Sequence, residues 1–142
     1  MNLEERKVYK KRDDVISCVC CLLRKYNFDG LDLDWEYPTQ RGGEPSDREA
    51  FVKLVQELRE LFAPEGLMIT AAVGAGPAVF HTAYNFPALA PNLDYFHVMT
   101  YDYHGIWDKK TGANSPLHGD VSMVSRKETL HWMRALRQAV QN

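Results

Sequence analysis

Over residues 13–26 the apolar positions Val15, Val19, Leu22, Leu23 and Tyr26 recur at helical spacing, with Arg24 and Lys25 in the last turn and Asn27 placed as a C-terminal cap. Phe28, Leu31, Leu33 and Trp35 then alternate with polar residues, a period of two that predicts a strand running to Tyr37-Pro38. Residues 38–45 form a Pro/Gly-rich loop. Ser46 and Glu49 have the spacing of a capping box, and Phe51, Leu54, Val55, Leu58, Leu61 and Phe62 form the apolar stripe of a second helix, ended by Pro64 and Gly66. Residues 67–73 read as a buried strand, 78–92 as a proline-punctuated connection with one short helix, 94–101 as a third strand, and 125–140 as a loosely patterned final helix. Apolar strands alternating with helices imply right-handed crossovers and an α/β fold with parallel strands and covering helices.

With 142 residues the chain can hold one hydrophobic core, so it is one domain or part of one. Its 17 basic and 19 acidic side chains are interspersed and sum to −2, which argues against nucleic acid or an anionic membrane as partner and for a neutral ligand. No run reaches the ~18 apolar residues of a membrane span, and residues 1–14 are charged, without the apolar centre of a secretory signal. The three cysteines crowd into Cys18-Val19-Cys20-Cys21, too local for a disulfide framework and without partners for a metal site. Cys18 and Cys21 form a C-x-x-C in mid-helix, where no helix N-terminus stabilises a thiolate; buried, inert thiols are expected.

The chemistry concentrates in Asp29-Gly30-Leu31-Asp32-Leu33-Asp34-Trp35-Glu36-Tyr37-Pro38. A strand's period puts Asp32, Asp34 and Glu36 on one face, about 6–7 Å apart, and Leu31, Leu33 and Trp35 on the other. Crowded carboxylates do not all ionise freely, and one that keeps its proton near neutral pH is a general acid. Glu36 is the candidate, because it is last on the strand, at the carboxyl end where parallel α/β folds place their chemistry. Asp34 is its partner and Asp32 the support behind. Two other readings stand beside this one. An edge strand with a solvated acidic face needs no function, and Asp32-Leu33-Asp34 has the D-x-D form of a metal site in nucleotide-sugar transferases. A calcium loop fails, since it needs glycine at Tyr37 and an acid at Gly43.

A second polar cluster closes the third strand: Met99-Thr100-Tyr101-Asp102-Tyr103-His104-Gly105, then Trp107 and Asn114-Ser115-Pro116. Tyr101 offers a donor, Asp102 an acceptor, and Trp107 a flat face on which a sugar ring can stack. His104 reads as a hydrogen-bonding fixture of the turn.

Together these motifs resemble glycoside hydrolase family 18, the chitinases and chitinase-like lectins. Asp29, Gly30, Asp32, Asp34 and Glu36 match its D-G-x-D-x-D-x-E signature, and Met99, Tyr101 and Asp102 its M-x-Y-D motif. The resemblance covers about residues 15–118, with 119–142 a divergent tail, and implies a partial (β/α)₈ TIM barrel, since a whole one needs about 250 residues. It implies retaining hydrolysis of β-1,4-linked N-acetylglucosamine with the substrate's acetamido group as nucleophile, which resolves how two carboxyls on one strand can serve. Glu36 then protonates the glycosidic oxygen and activates water, Asp34 orients the acetamido group, Asp32 supports Asp34, and Tyr101 donates to the acetamido oxygen. Met99, Asp102 and Trp107 line the cleft. Chitin or chito-oligosaccharides are the implied partners, no metal or organic cofactor is implied, and the implied setting is extracellular. The alternatives within this resemblance are a chitin-binding lectin without turnover and an inactive fragment. Open sheet edges predict poor solubility or self-association.

Overall fold

The computed structural model describes residues 3–118 and 129–141, with side chains described from residue 15 onward except Pro77 and residues 129–132. Helix α1 (Leu3–Tyr26) leads into β1 (Gly30–Leu33), α2 (Asp47–Phe62), β2 (Met68–Gly74), α3 (Pro77–Ala83), α4 (Phe86–Leu89), β3 (Tyr95–Met99) and α5 (Thr129–Gln141). The strands form one parallel sheet in the order β1-β2-β3, with Asp32 opposite Thr70 and Ala72 opposite His97. At Gly30 the two strands approach so closely that a Cβ would lie 2.2 Å from the Met68 carbonyl oxygen.

The alternation of β2 divides the sheet into two faces. Ile69, Ala71 and Val73 are fully buried and pack with Phe51, Val55, Leu58 and Phe62 of α2. The helical stripe read from the sequence is therefore the core, except that Leu61 is exposed and Val52 is buried instead. Phe80, Tyr84, Phe86 and Leu89, from the connection after β2, complete this layer, where two short α-helices replace the single one expected. Asp94 ties the start of β3 to β2 and α2, accepting from the Ile69 amide at 2.7 Å and from Arg59 at 2.6 Å. Both donors hold its carboxyl below the usual aspartate range, Arg59 most strongly.

Four local expectations change. The capping box does not form: Ser46 is itself helical (φ −66°, ψ −19°), so its hydroxyl is not turned onto the first turn, and Glu49 instead meets Arg48 and Asn85. Helix α1 turns Ile16, Val19, Cys20 and Leu23 inward, while Val15, Leu22 and Tyr26 are exposed. That rotation also exposes Cys18 and Cys21, so two of the three cysteines are not the buried thiols expected, while Cys20 is half-buried. Strand β1 ends at Leu33, four residues before Tyr37, and it is an edge of the described sheet rather than a strand covered on both faces. Of the final helix expected over 125–140, residues 129–140 lie in α5; residues 125–128 fall outside the described residues.

Candidate active site

Because β1 stops at Leu33, only Asp32 of the three carboxylates is held by the ladder; Asp34 and Glu36 stand on the segment that leaves its carboxyl end. All three are exposed, and the ladder fixes the face of Asp32 alone. Asp32 Oδ1 accepts from the Thr70 hydroxyl at 2.5 Å, directly across the register, and His97 Nε2 of β3 lies 3.8 Å from the same oxygen. Trp35 points to the other side, where its ring meets Phe51 edge-on at 6.0 Å and anchors the segment to α2. That contact is what the period of two predicts for the residue between two carboxylates.

Beyond Glu36 the chain makes a sharp loop, with a cis Glu36–Tyr37 peptide and left-handed backbone at Thr39 (φ 72°) and Arg41 (φ 52°). The loop turns Arg41 back, placing its Nη1 3.3 Å from Glu36 Oε2 and its guanidinium 5.2 Å from the centre of the Tyr37 ring. Tyr37 rests on the end of β2: a Cβ at Gly74 would lie 2.9 Å from its ring, so only glycine admits it there. The Tyr37 hydroxyl is pushed above its ordinary range, first by burial, then by the Glu36 charge and a hydrogen bond to Glu36, with Arg41 pulling the other way and Tyr101 adding to the rise. Tyr84, almost fully buried, accepts the Gly74 amide at 3.2 Å. Burial pushes its phenol up to about 12, against the Gly74 hydrogen bond, and the charges of Asp34 and Glu36 add to the rise.

The second cluster leaves β3 at the same end of the sheet. Met99 is the last residue of β3, half-buried, and Tyr101 follows it, 50 % exposed. Asp102 has φ 55°, and the turn around it is held by residue 114: the Asp102 amide donates to the Asn114 side chain at 3.2 Å and the Tyr103 amide to the Asn114 carbonyl at 3.0 Å. Ser115 donates to the Thr100 carbonyl. His104 and the Gly105 amide both meet Asp108 Oδ2, at 3.2 and 3.1 Å, so His104 is built into the turn as the sequence suggested. Trp107 lies over Gly105, where a Cβ would come within 2.4 Å of its ring, and it is 65 % exposed. Among the described residues no hydrogen bond, ion pair or ring contact joins Trp107 to the carboxylates.

Asp34 and Glu36 follow the carboxyl end of β1, and Met99, Tyr101 and Asp102 lie at or just beyond that of β3, with Trp107 further along the chain; Asp32 stands lower, within β1, level through Thr70 with Tyr95 at the start of β3. Sequence reasoning placed Asn114 in the second cluster but passed over Thr70, Tyr37, Arg41 and Tyr84. Of these only Tyr37 carried a signal, as the residue between the acid and the loop proline. The carboxylates and Tyr101 and Asp102 are exposed, and the cavities of about 620 Å³ between α1 and α2 and about 440 Å³ between β3 and α5 are lined by none of the site residues. No group of three potential metal ligands occurs among the described residues, and no described helix is long and apolar enough to cross a membrane.

Comparison with known proteins identifies the family and the fold. The model of glycosyl hydrolases family 18 matches residues 6–141, beyond both ends of the stretch that carries the motifs. The chain is 55 % identical over 106 residues to probable chitinase 2 of Drosophila melanogaster, covering 75 % of this chain and 22 % of that protein. It superposes on catalytic domain 2 of the Ostrinia furnacalis Group II chitinase with a TM-score of 0.84 and 40 % identity, over 90 % of this chain and 35 % of that one. A mutant of the same domain in complex with (NAG)5 gives a TM-score of 0.83 and 39 % identity, with the same coverage. The parallel β1-β2-β3 unit with its helices is a portion of the TIM barrel of those enzymes. The chain spans about a fifth of the Drosophila protein's length and belongs to glycosyl hydrolases family 18.

Proposed function

We propose that this chain carries the acid-bearing part of a chitin-hydrolysing site, acting on β-1,4-linked N-acetylglucosamine in an extracellular setting. The observation that supports this most is placement: Glu36 and Asp34 leave the carboxyl end of β1, and Tyr101 and Asp102 leave the same end of β3, two strands away in one parallel sheet. A sugar lying across β2 meets both groups. Glu36 gives its proton to the glycosidic oxygen as the acetamido oxygen closes on the anomeric carbon, expelling the leaving sugar. Asp34 orients the acetamido group and balances the positive charge of the resulting ring. Glu36, now ionised, takes a proton from the water that opens that ring and restores the anomeric configuration. Tyr101 donates to the acetamido oxygen, Asp32 supports Asp34, and Met99, Asp102 and Trp107 bind the chain of sugars. The (NAG)5 complex of the Ostrinia furnacalis domain supports a chito-oligosaccharide as ligand. With β1 and β3 both at edges of the described sheet, self-association belongs to the same proposal, checked by sedimentation velocity at rising concentration.

The test is release of a fluorescent aglycone from a chito-oligosaccharide reporter by the purified chain and by Glu36→Gln, which keeps the shape and removes the transferable proton. Release by the chain, with a loss of about 10²–10⁴-fold in the variant, is the expected result. Binding of the reporter without cleavage assigns the chain to sugar binding without turnover. Equal release by chain and variant contradicts the role of Glu36.

A further inference from the structure

Asp32 is the deepest of the three carboxylates and the one whose role is indirect, since it acts on substrate only through Asp34. Its usefulness depends on its carboxyl holding one orientation. The motif itself supplies no group for that purpose, because the alternating neighbours Leu31 and Leu33 point to the other face.

We infer that Thr70 is the positioning residue that holds the Asp32 carboxylate, an inference that rests on the function proposed above. On β2 every second residue is apolar and buried: Ile69, Ala71 and Val73 face α2. Thr70 points the opposite way, is half-buried, and stands directly across the register from Asp32. Its hydroxyl has a single proton, and that proton goes to Asp32 Oδ1 at 2.5 Å. Being β-branched and fixed in the middle strand, Thr70 has little rotamer freedom, so the hydroxyl is a pre-aimed donor rather than a mobile one. His97 reaches the same oxygen from β3, but at 3.8 Å it is beyond hydrogen-bond range, so the short contact is Thr70's alone of the two. Of the two strands whose side chains face the β1 carboxylate, the adjacent one grips it. The other oxygen is left to be turned toward Asp34.

Thr70→Val is nearly isosteric and removes only the donor; Thr70→Ser restores it. The direct readout is the orientation of Asp32, measured by three-bond couplings across its Cα–Cβ bond in labelled protein, with amide spectra confirming that each variant is folded. One dominant rotamer in the chain, rotamer averaging in Thr70→Val and recovery in Thr70→Ser is the expected pattern. Unchanged couplings in Thr70→Val overturn the inference. The second readout is reporter hydrolysis, where kcat falls about 10- to 100-fold in Thr70→Val with KM unchanged, and Thr70→Ser recovers it. A fall in stability with unchanged kcat marks Thr70 as an ordinary cross-strand contact and also overturns it. If the unsubstituted chain releases no aglycone, the proposed catalysis fails, and the couplings by themselves decide the role of Thr70.

Discussion

The two faces of the three-stranded sheet differ sharply in burial and in chemistry. On one, Ile69, Ala71 and Val73 are sealed beneath α2 and the short helices that follow β2. On the other, Asp32, Tyr95 and His97 are exposed and Thr70 is half-buried. The sealed face contains what a core needs, apolar groups removed from water, each worth about 1.5–3 kcal/mol for a large side chain. The open face contains what a site needs, charged and hydroxyl groups that remain reachable. Stability and chemistry are therefore carried by alternate residues of the same strands, and substitutions on the two faces should have separable effects.

The largest effect is expected on the sealed face. Phe51 is 1 % exposed and touches both Trp35 and Tyr84, so Phe51→Ala should lower the unfolding free energy by about 3–5 kcal/mol, read from denaturant titration. A loss below about 1 kcal/mol would erase the contrast between the faces. Tyr84 sits where the core meets the site. Tyr84→Phe strands the Gly74 amide and should cost about 1–3 kcal/mol. The sign of its pH dependence follows from the raised phenol. The native state keeps Tyr84 protonated to about 12 while the unfolded chain ionises near 10, so its contribution is intact below about pH 10 and is lost as the pH rises toward 12. Unfolding curves from pH 9 to 12 should therefore fall more steeply for the chain than for Tyr84→Phe. The smallest effect belongs to the open face. Tyr95 is 65 % exposed, and Tyr95→Ser should change stability by no more than about 0.5 kcal/mol, measured by the same titration.

How much of this was legible in the chain depends on whether a feature is local. Asp32, Trp35 and most of the stripe of α2 are periodic signals, and they appear in the structure on the faces that their spacing implies. The parallel order of the strands followed from their apolar character and the helices between them. The partners of the site were not legible, because Thr70 meets Asp32 through strand register and Tyr84 reaches Gly74 across a connection whose helices carry little pattern. The inward face of α1 was misjudged by about one residue, since two overlapping apolar stripes were available and only packing on α2 and the sheet selects Ile16 and Leu23 over Val15 and Leu22. The early end of β1 was hidden because alternation continues through Trp35 and Glu36 after the ladder has stopped, sustained by the contact between Trp35 and Phe51.

The most direct test of the central claim, that the open face and the carboxyl end of the strands receive a chito-oligosaccharide, is titration of the labelled chain with (NAG)5 followed by amide and indole resonances. Shifts at the Trp107 indole and at residues 34–37 and 100–103, with Val55, Ile69, Ala71 and Val73 unmoved, are the predicted result. Shifts confined to the sealed face, or none at saturating sugar, would contradict it.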